Sequence, residues 1–222
     1  AALIRNLFYA LPVFIAHWQL LLINLSNASM FVGNLLAIPQ TNIKRMLAYS
    51  TIAHAGYILL GLAVASQRAV MGILIYAVVY TFMNLGAFGV VIIMSHGSPG
   101  FSDKIEDFSG LSKRSPLLAL AMAIFVLSLA GLPPLAGLWG KFFIFAAAIE
   151  GKLLWLAALG FLNSVISLYY YANVARHMYL LEPLQQKPVE ISPYLRSVLW
   201  ITMLAVLLLG VFPDPLIRLS TV

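Results

Sequence analysis

Long apolar runs alternate with short polar turns along this chain, and the turns mark where each run stops. Apolar residues dominate from about Trp18 to Ile38, then Pro39-Gln40-Thr41-Asn42 interrupts them. A second run spans about Ile43 to Ala65, entered through Lys44 and Arg45, and Ser66-Gln67-Arg68 separates it from a third, about Ala69 to Met94. Residues 95–115 form the main polar segment, with Gly97-Ser98-Pro99-Gly100 and the mixed-charge Lys104-Ile105-Glu106-Asp107. Later runs cover about Pro116 to Ile149, Leu153 to Tyr179 and Ser197 to Phe212, the last two divided by a loop carrying Pro183, Pro188 and Pro193. A bilayer core about 30 Å thick needs roughly 20 apolar residues in helix. The pattern therefore predicts an all-α polytopic membrane protein with about six transmembrane helices.

The run from 116 to 149 is too long for one simple crossing and too short for two. Continuous helix of that length would reach about 51 Å at 1.5 Å per residue, and each half alone falls short of roughly 20 residues. Gly131, Pro133, Pro134 and Gly137 lie at its middle. Proline removes an amide donor and disfavours helix in the residue before it, so one crossing with a broken helix is expected. Carbonyls freed at that depth need protein or water partners, which predicts a break that lines a cavity and does not face lipid.

Composition and charge narrow the picture further. The 222 residues are 62% hydrophobic and only 9% charged, against about 25% charged in soluble domains. The net charge of +6 does not indicate nucleic acid, because the basic residues cluster between apolar runs. With alternating spans, Lys44, Arg45, Lys104, Lys113, Arg114, Arg176, Lys187 and Arg196 share one side, while Arg5, Arg68, Lys152 and Arg218 share the other. The positive-inside rule then puts the 95–115 and 180–196 segments on the cytoplasmic side or its organellar equivalent. No cysteine is present, so disulfides and Cys-held metal centres are excluded within this chain. The first eleven residues lack an initiator Met and any signal-peptide pattern. They read as a stub, residues 1–11, closing a preceding transmembrane helix, as if the chain were the C-terminal part of a longer protein.

Lys141 is the residue of greatest chemical interest, a cation inside the interrupted run. Inserting such a group costs roughly 2.5–3.5 kcal/mol, and it commonly marks an ion or proton path. The structural alternative is a lysine snorkelling to the headgroups, with Trp139 and Glu150 nearby. Glu150 lies nine residues on, about 13.5 Å along a helix, too far for a direct pair. His54 sits midway along the second span, and Ser50, His54, Tyr57 and Gly61 fall on one helical face. A mid-membrane histidine either relays protons through its two nitrogens or hydrogen-bonds a neighbouring helix. His17, His96 and His177 lie near span ends, so the two facing mid-membrane histidines that a bis-histidine haem requires are not provided. Lys44 and Arg45 read first as interfacial anchors. Tyr169-Tyr170-Tyr171 reads as an aromatic belt, and Asn163, Ser164, Ser167, Tyr80 and Asn84 as packing polar groups. No nucleophile triad, metal-spaced carboxylates or phosphate loop is visible.

Two motifs carry a family resemblance. Asn42-Ile43-Lys44-Arg45-Met46-Leu47-Ala48-Tyr49-Ser50-Thr51-Ile52-Ala53-His54-Ala55-Gly56-Tyr57 resembles the antiporter-like membrane subunits of respiratory complex I and of Mrp cation/proton antiporters. Asp107-Phe108-Ser109-Gly110-Leu111, with Ser128-Leu129-Ala130-Gly131-Leu132-Pro133-Pro134-Leu135-Ala136-Gly137 and Gly140-Lys141-Phe142, is most similar to the subunit N group of NADH:quinone oxidoreductase. The resemblance implies the second half of an inverted-repeat fold: a five-helix repeat over 18–179 with the broken helix at 116–149, then a final helix over 197–217. It implies a proton-translocating membrane-arm subunit of an energy-coupling membrane, a non-redox part of a translocase. Lys141, His54 and Tyr49 would carry the proton path, with Lys44, Ser50 and Tyr57 as accessories. Implied partners are other membrane-arm subunits, a neighbouring antiporter-like subunit among them, and the lipid bilayer, without nucleic acid. No cofactor is expected in this chain. A subunit of an Mrp-type sodium/proton antiporter and a passive membrane scaffold are the competing readings.

Overall fold

A computed structural model describes residues 15–185 and 187–220; the expected stub at 1–11 lies outside them. Helix α1 runs Ile15–Ala37, α2 Ile43–Val64 and α3 Gln67–Gly97. A 3-10 turn at Ile105–Phe108 and the short α4, Leu111–Arg114, fold the polar segment. Then come α5, Pro116–Ala130, α6, Gly137–Glu150, α7, Leu154–Leu180, α8, Pro193–Val211, and α9, Asp214–Ser220. Five of these, α1, α2, α3, α7 and α8, are long and apolar enough to cross a membrane, and α5 is a shorter apolar helix.

Local chemistry sets the ends. Asn42 caps α2 by accepting from Arg45 N–H at 3.0 Å, and Ser66 caps α3 by accepting from Ala69 N–H at 3.1 Å. Such side-chain oxygens satisfy amides that the first turn leaves orphaned. Pro193 does not belong to a loop as its composition suggests: Ser192 caps α8 and Pro193 takes the first helical position, where a missing N–H costs nothing. The final span is likewise not one helix over 197–217. It stops at Val211, and a separate turn of helix starts at Asp214, because Pro213 cannot donate and constrains Phe212.

The bundle places α2 at its centre, the most enclosed of the spans. It packs extensively on α1, and also on α3, α6 and α7. Close approach to α1 depends on two glycines: a Cβ on Gly33 would sit 2.5 Å from Ala53 N, and one on Gly56 would sit 2.9 Å from Met30 N. Small residues let apolar helices approach closely enough for backbone-level packing, and polar groups then bond across the seam. Ser26 donates to Gly56 O at 2.8 Å and Gln19 to Ala63 O at 2.9 Å. At the opposite end of α1, the turn before α2 is tied to the polar segment: Ile43 N–H donates to Asp103 O and Ile105 N–H to Thr41 O, both at 2.8 Å.

Candidate functional site

The helix break is built by sequence. Helix α5 ends on Gly131, at φ 91, a left-handed conformation that glycine adopts without steric penalty. Gly131 N–H donates to Ser128 O at 2.9 Å and Leu132 N–H to Leu127 O at 3.1 Å, a Schellman closure. The last two carbonyls of α5, Leu129 O and Ala130 O, are left without backbone donors by this geometry. Lys141, one turn into α6, reaches back and donates to both, at 2.9 and 3.0 Å. Its third donor goes to Ser164 Oγ at 2.9 Å, and Ser164 itself donates to Ala130 O at 3.0 Å. An ammonium has three N–H groups and no acceptor, so all three are satisfied. The site also sits at the negative end of the α5 dipole, which favours a cation.

This arrangement answers two expectations. Lys141 is 3% exposed, so it does not snorkel to a headgroup region. Its partners are neutral oxygens, two carbonyls of the break and the Ser164 hydroxyl of α7, and Glu150 pairs with Arg68 instead. The break itself differs from the cavity-lining expectation. Pro133 and Pro134, joined by a cis peptide bond, are exposed, and the freed carbonyls are taken by the lysine. The beginning of α6 is satisfied differently: Gly137 N–H donates to Ser128 Oγ at 3.0 Å. On the far side, Trp139 Nε1 donates to Gly210 O at 2.7 Å, fastening α6 to α8.

Tyr57 links the lysine to the histidine. Lys141 Nζ stands 4.8 Å from the Tyr57 ring centroid, within cation–π range, and the Tyr57 ring lies 5.8 Å from that of His54. His54, 1% exposed, is held between two phenols: Nδ1 is 2.5 Å from Tyr76 Oη and Nε2 is 3.0 Å from Tyr171 Oη. A neutral imidazole donates through one nitrogen and accepts through the other. A Tyr–His–Tyr row can thus pass a proton by exchanging tautomers. The three phenols come from three different helices, α2, α3 and α7.

A second buried polar group adjoins the first. Asn34 Nδ2 donates to Asn163 Oδ1 at 2.9 Å and to Asn163 O at 3.1 Å, and Tyr170 Oη donates to Asn34 Oδ1 at 2.9 Å. Asn163 and Ser164 are neighbours in α7, so the asparagine pair and the lysine site share one helix turn. The Tyr57 hydroxyl lies beside Asn34 and Ser164 without a completed hydrogen bond to either.

A family model described as NADH:quinone oxidoreductase/Mrp antiporter, TM, matches residues 1–167. The chain is 47% identical over 203 residues to NADH-quinone oxidoreductase subunit N of Desulforamulus reducens, covering 91% of this chain and 42% of the relative. It is 46% identical over 217 residues to the subunit N of Moorella thermoacetica, covering 97% and 45%. The chain belongs to the NADH:quinone oxidoreductase/Mrp antiporter transmembrane family. Among solved structures, a chain of Thermus thermophilus respiratory complex I with bound aureothin aligns with TM-score 0.73 at 34% identity, over 89% of this chain and 44% of that one. A chain of the Mrp complex from Dietzia sp. aligns with TM-score 0.83 at 20% identity, over 92% and 46%, a likeness of fold alone. The chain spans just under half the length of the curated relatives it matches. It is an integral membrane protein.

Within this family member, the residues singled out from sequence separate into two groups. Lys141, His54 and Tyr57 converge, and Ser50 lies buried on the same α2 face, donating to Leu47 O at 2.7 Å. Lys44 and Tyr49 do not join them. Lys44 is ion-paired to Asp103 at 2.8 Å with 46% of its side chain exposed, and Tyr49 packs, half-buried, against the main apolar cluster. The tyrosine triplet is not simply a belt: Tyr169 is 66% exposed, but Tyr170 and Tyr171 are buried at 2% and 0%, because consecutive helical positions differ by about 100° and these two face α1 and α2. Asn163 and Ser164 are network members, not bystanders. Asn34, Tyr76 and Ser128 were not singled out; a polar residue amid the apolar run of a span was the available signal for all three. No group of three or more metal-ligating side chains occurs among the described residues.

Proposed function

We propose that this chain is the proton-conducting second half of a membrane-arm subunit of a complex I-type NADH:quinone oxidoreductase, working in an energy-coupling membrane. Residues 18–179 would be one five-helix repeat with α5–α6 as its broken helix, and 197–217 the terminal segment. The observation that carries this reading is the buried Lys141 ammonium, held by neutral oxygens at a helix break and joined through Tyr57 to a Tyr–His–Tyr row. An ammonium with no carboxylate partner is sensitive to nearby charge in a low-dielectric interior. Loss of its proton would leave two N–H donors for the three acceptors, Leu129 O, Ala130 O and Ser164 Oγ, so proton occupancy and the geometry of the break are tied together. The 47% identity to a named subunit N over 91% of the chain supports the same assignment.

In this reading the chain binds no nicotinamide, flavin or metal cluster of its own. Redox chemistry elsewhere in the assembly drives it, and neighbouring antiporter-like subunits exchange charge effects with it. The test is proton pumping by the complete complex, reconstituted in liposomes, carrying Lys141→Ala or Lys141→Arg. Both should lose pumping while the complex stays assembled, the arginine because it holds its proton permanently. Normal pumping by both removes Lys141 from the path and favours a scaffold. Transport that requires sodium and no quinone reductase activity would instead assign an Mrp-type antiporter.

A further inference from the structure

Where α3 ends and α8 begins, the protein holds a cavity of about 380 Å³, lined by Ile93, His96, Glu190, Ile191, Ser192 and Leu195. That volume falls in the range of small-ligand sites. Helix α3 has 31 residues, about 46 Å of helix, which exceeds a bilayer core of about 30 Å. Its end at Gly97 therefore stands among the lipid headgroups, on the face that carries the 95–115 segment. The lining changes character with depth. Ile93 lies deeper than His96 along α3, and Leu195 lies deeper than Ser192 along α8. Polar groups thus line the outer part and apolar groups the inner part, the order of head and chains in a phospholipid.

The rim of this cavity is tied down. The connection from α7 to α8 crosses the ends of α3 and α5 and is bonded to both. Arg114, buried at the start of α5, donates through Nε to Lys187 O at 3.0 Å. Val189 N–H donates to Ser115 Oγ at 3.0 Å, and Glu190 N–H to Gly97 O at 3.4 Å. A Cβ on Gly97 would sit 2.3 Å from Glu190 O, so the two backbones are in contact. These ties fix Glu190 at the cavity edge, and among the described residues its carboxylate forms no ion pair.

Two further acceptors line the same space. His96 Nδ1 lies 2.9 Å from Ile92 O. A carbonyl only accepts, so the proton is on Nδ1 and the neutral ring keeps its lone pair on Nε2. The Ser192 hydroxyl accepts from Leu195 N–H at 3.4 Å and has a second lone pair to offer.

We propose that this cavity binds the headgroup of a phospholipid bearing a primary amine, phosphatidylethanolamine, with its chains running past Ile93 and Leu195. An ammonium has three N–H donors and no acceptor, which matches a carboxylate, an imidazole nitrogen and a hydroxyl. A choline headgroup carries methyls where those donors would be. A glycerol headgroup leaves a negative phosphate facing Glu190 with no cation between them. The site lies apart from the Lys141 path and goes beyond the function proposed above.

The test places p-benzoylphenylalanine at Leu195 in the complete complex, in nanodiscs of equal phosphatidylethanolamine and phosphatidylglycerol, or phosphatidylethanolamine and phosphatidylcholine. After irradiation, mass spectrometry identifies the lipid attached to the α8 peptide. Ethanolamine adducts should exceed those of the competing lipid by about threefold or more, the scale of an exposed charge pair. Glu190→Gln should bring the ratio close to one. Glu182→Gln, which removes a charge from the same connection but outside the cavity, should leave it unchanged. Equal labelling of the lipids in the parent, an equal fall in both glutamate variants, or attachment to a protein subunit in place of lipid overturns the proposal. If the probe at 195 prevents assembly, Ile191 carries it for the same comparison.

Discussion

Lys141 and Lys44 are the same side chain on helices that touch, yet almost nothing about their surroundings agrees. Lys44 opens α2 at the bundle rim and meets a carboxylate, Asp103, in partial contact with solvent. Lys141 is buried and meets no carboxylate; two helix-terminal carbonyls and one hydroxyl hold it. The rim pair has an opposite charge available and gains little, because exposed ion pairs are worth about 0–1 kcal/mol. The interior site has only neutral partners, but its geometry depends on where a helix stops. Charge is therefore anchored at the rim by sequence-distant chance of position, and in the interior by backbone architecture. Changes to that backbone architecture should therefore hurt most.

The largest effect is expected at Gly137. A Cβ there would lie 1.8 Å from Ser128 O, where backbone meets backbone at the crossing of α5 and α6. Overpacking commonly costs about 1–3 kcal/mol, and here no flexible side chain can yield. Gly137→Leu should prevent stable assembly, seen as loss of the subunit from purified complex. A variant that tests the break must therefore leave Gly137 in place. Pro133 and Pro134 are exposed, so Pro133→Ala with Pro134→Ala alone should assemble and report on the break itself. Pumping that survives unaltered in that double variant, with α5–α6 turned continuous, would detach the break from function.

Next in size is Lys141→Ala, which takes the cation out of the interior site and leaves its two carbonyl partners to water. The complex should assemble, since a costly buried charge is removed, while pumping falls by roughly a hundredfold or more, the range attributed to positioned proton donors. Lys141→Arg tests a different property. It keeps the charge and the donors but not the ability to release a proton, so it should assemble well and pump poorly.

Much of this site is legible in the sequence. The misfit between 34 residues of apolar run and one bilayer forced the interruption, and the α2 face bearing Ser50, His54 and Tyr57 followed from helical spacing. What stayed hidden depends on relations between helices. Nothing in the order of residues says that Tyr171 turns inward while Tyr169 faces out, because that is decided by which face of α7 meets α2. Nor could the partner of Lys141 be read: it is a pair of carbonyls, which carry no residue-type signature. Pro193 misled for a related reason, since proline marks loops and first helical turns alike, and only the Ser192 cap distinguishes them.

A smaller loss should follow from Tyr171→Phe, which deletes the partner of His54 Nε2 and keeps the ring. A buried hydrogen bond contributes about 0.5–1.5 kcal/mol net, so a small decrease in thermal midpoint is expected, with slower pumping if the Tyr–His–Tyr row carries protons. Tyr170→Phe is its partner experiment. That hydroxyl serves Asn34, so it should lower stability by a comparable amount, and the two variants together show whether the histidine row or the asparagine pair matters more to rate. Equal pumping by Tyr171→Phe and the parent would leave His54 as a structural link between helices.

The smallest effect belongs to the rim. Lys44→Ala, Asp103→Ala and the double variant form a cycle in which the coupling should come out below about 1 kcal/mol and fall further with salt, as exposed pairs do. The segment does not depend on that pair alone, because Ile43 N–H and Ile105 N–H still bond Asp103 O and Thr41 O, contacts that neither side-chain truncation removes. Pumping by Lys44→Ala should accordingly stay close to the parent. A severe loss at Lys44 with the complex intact would show that the rim lysine works in the path after all. The contrast between the two sites would then lie in where protons enter and where they are held, and not in which lysine takes part.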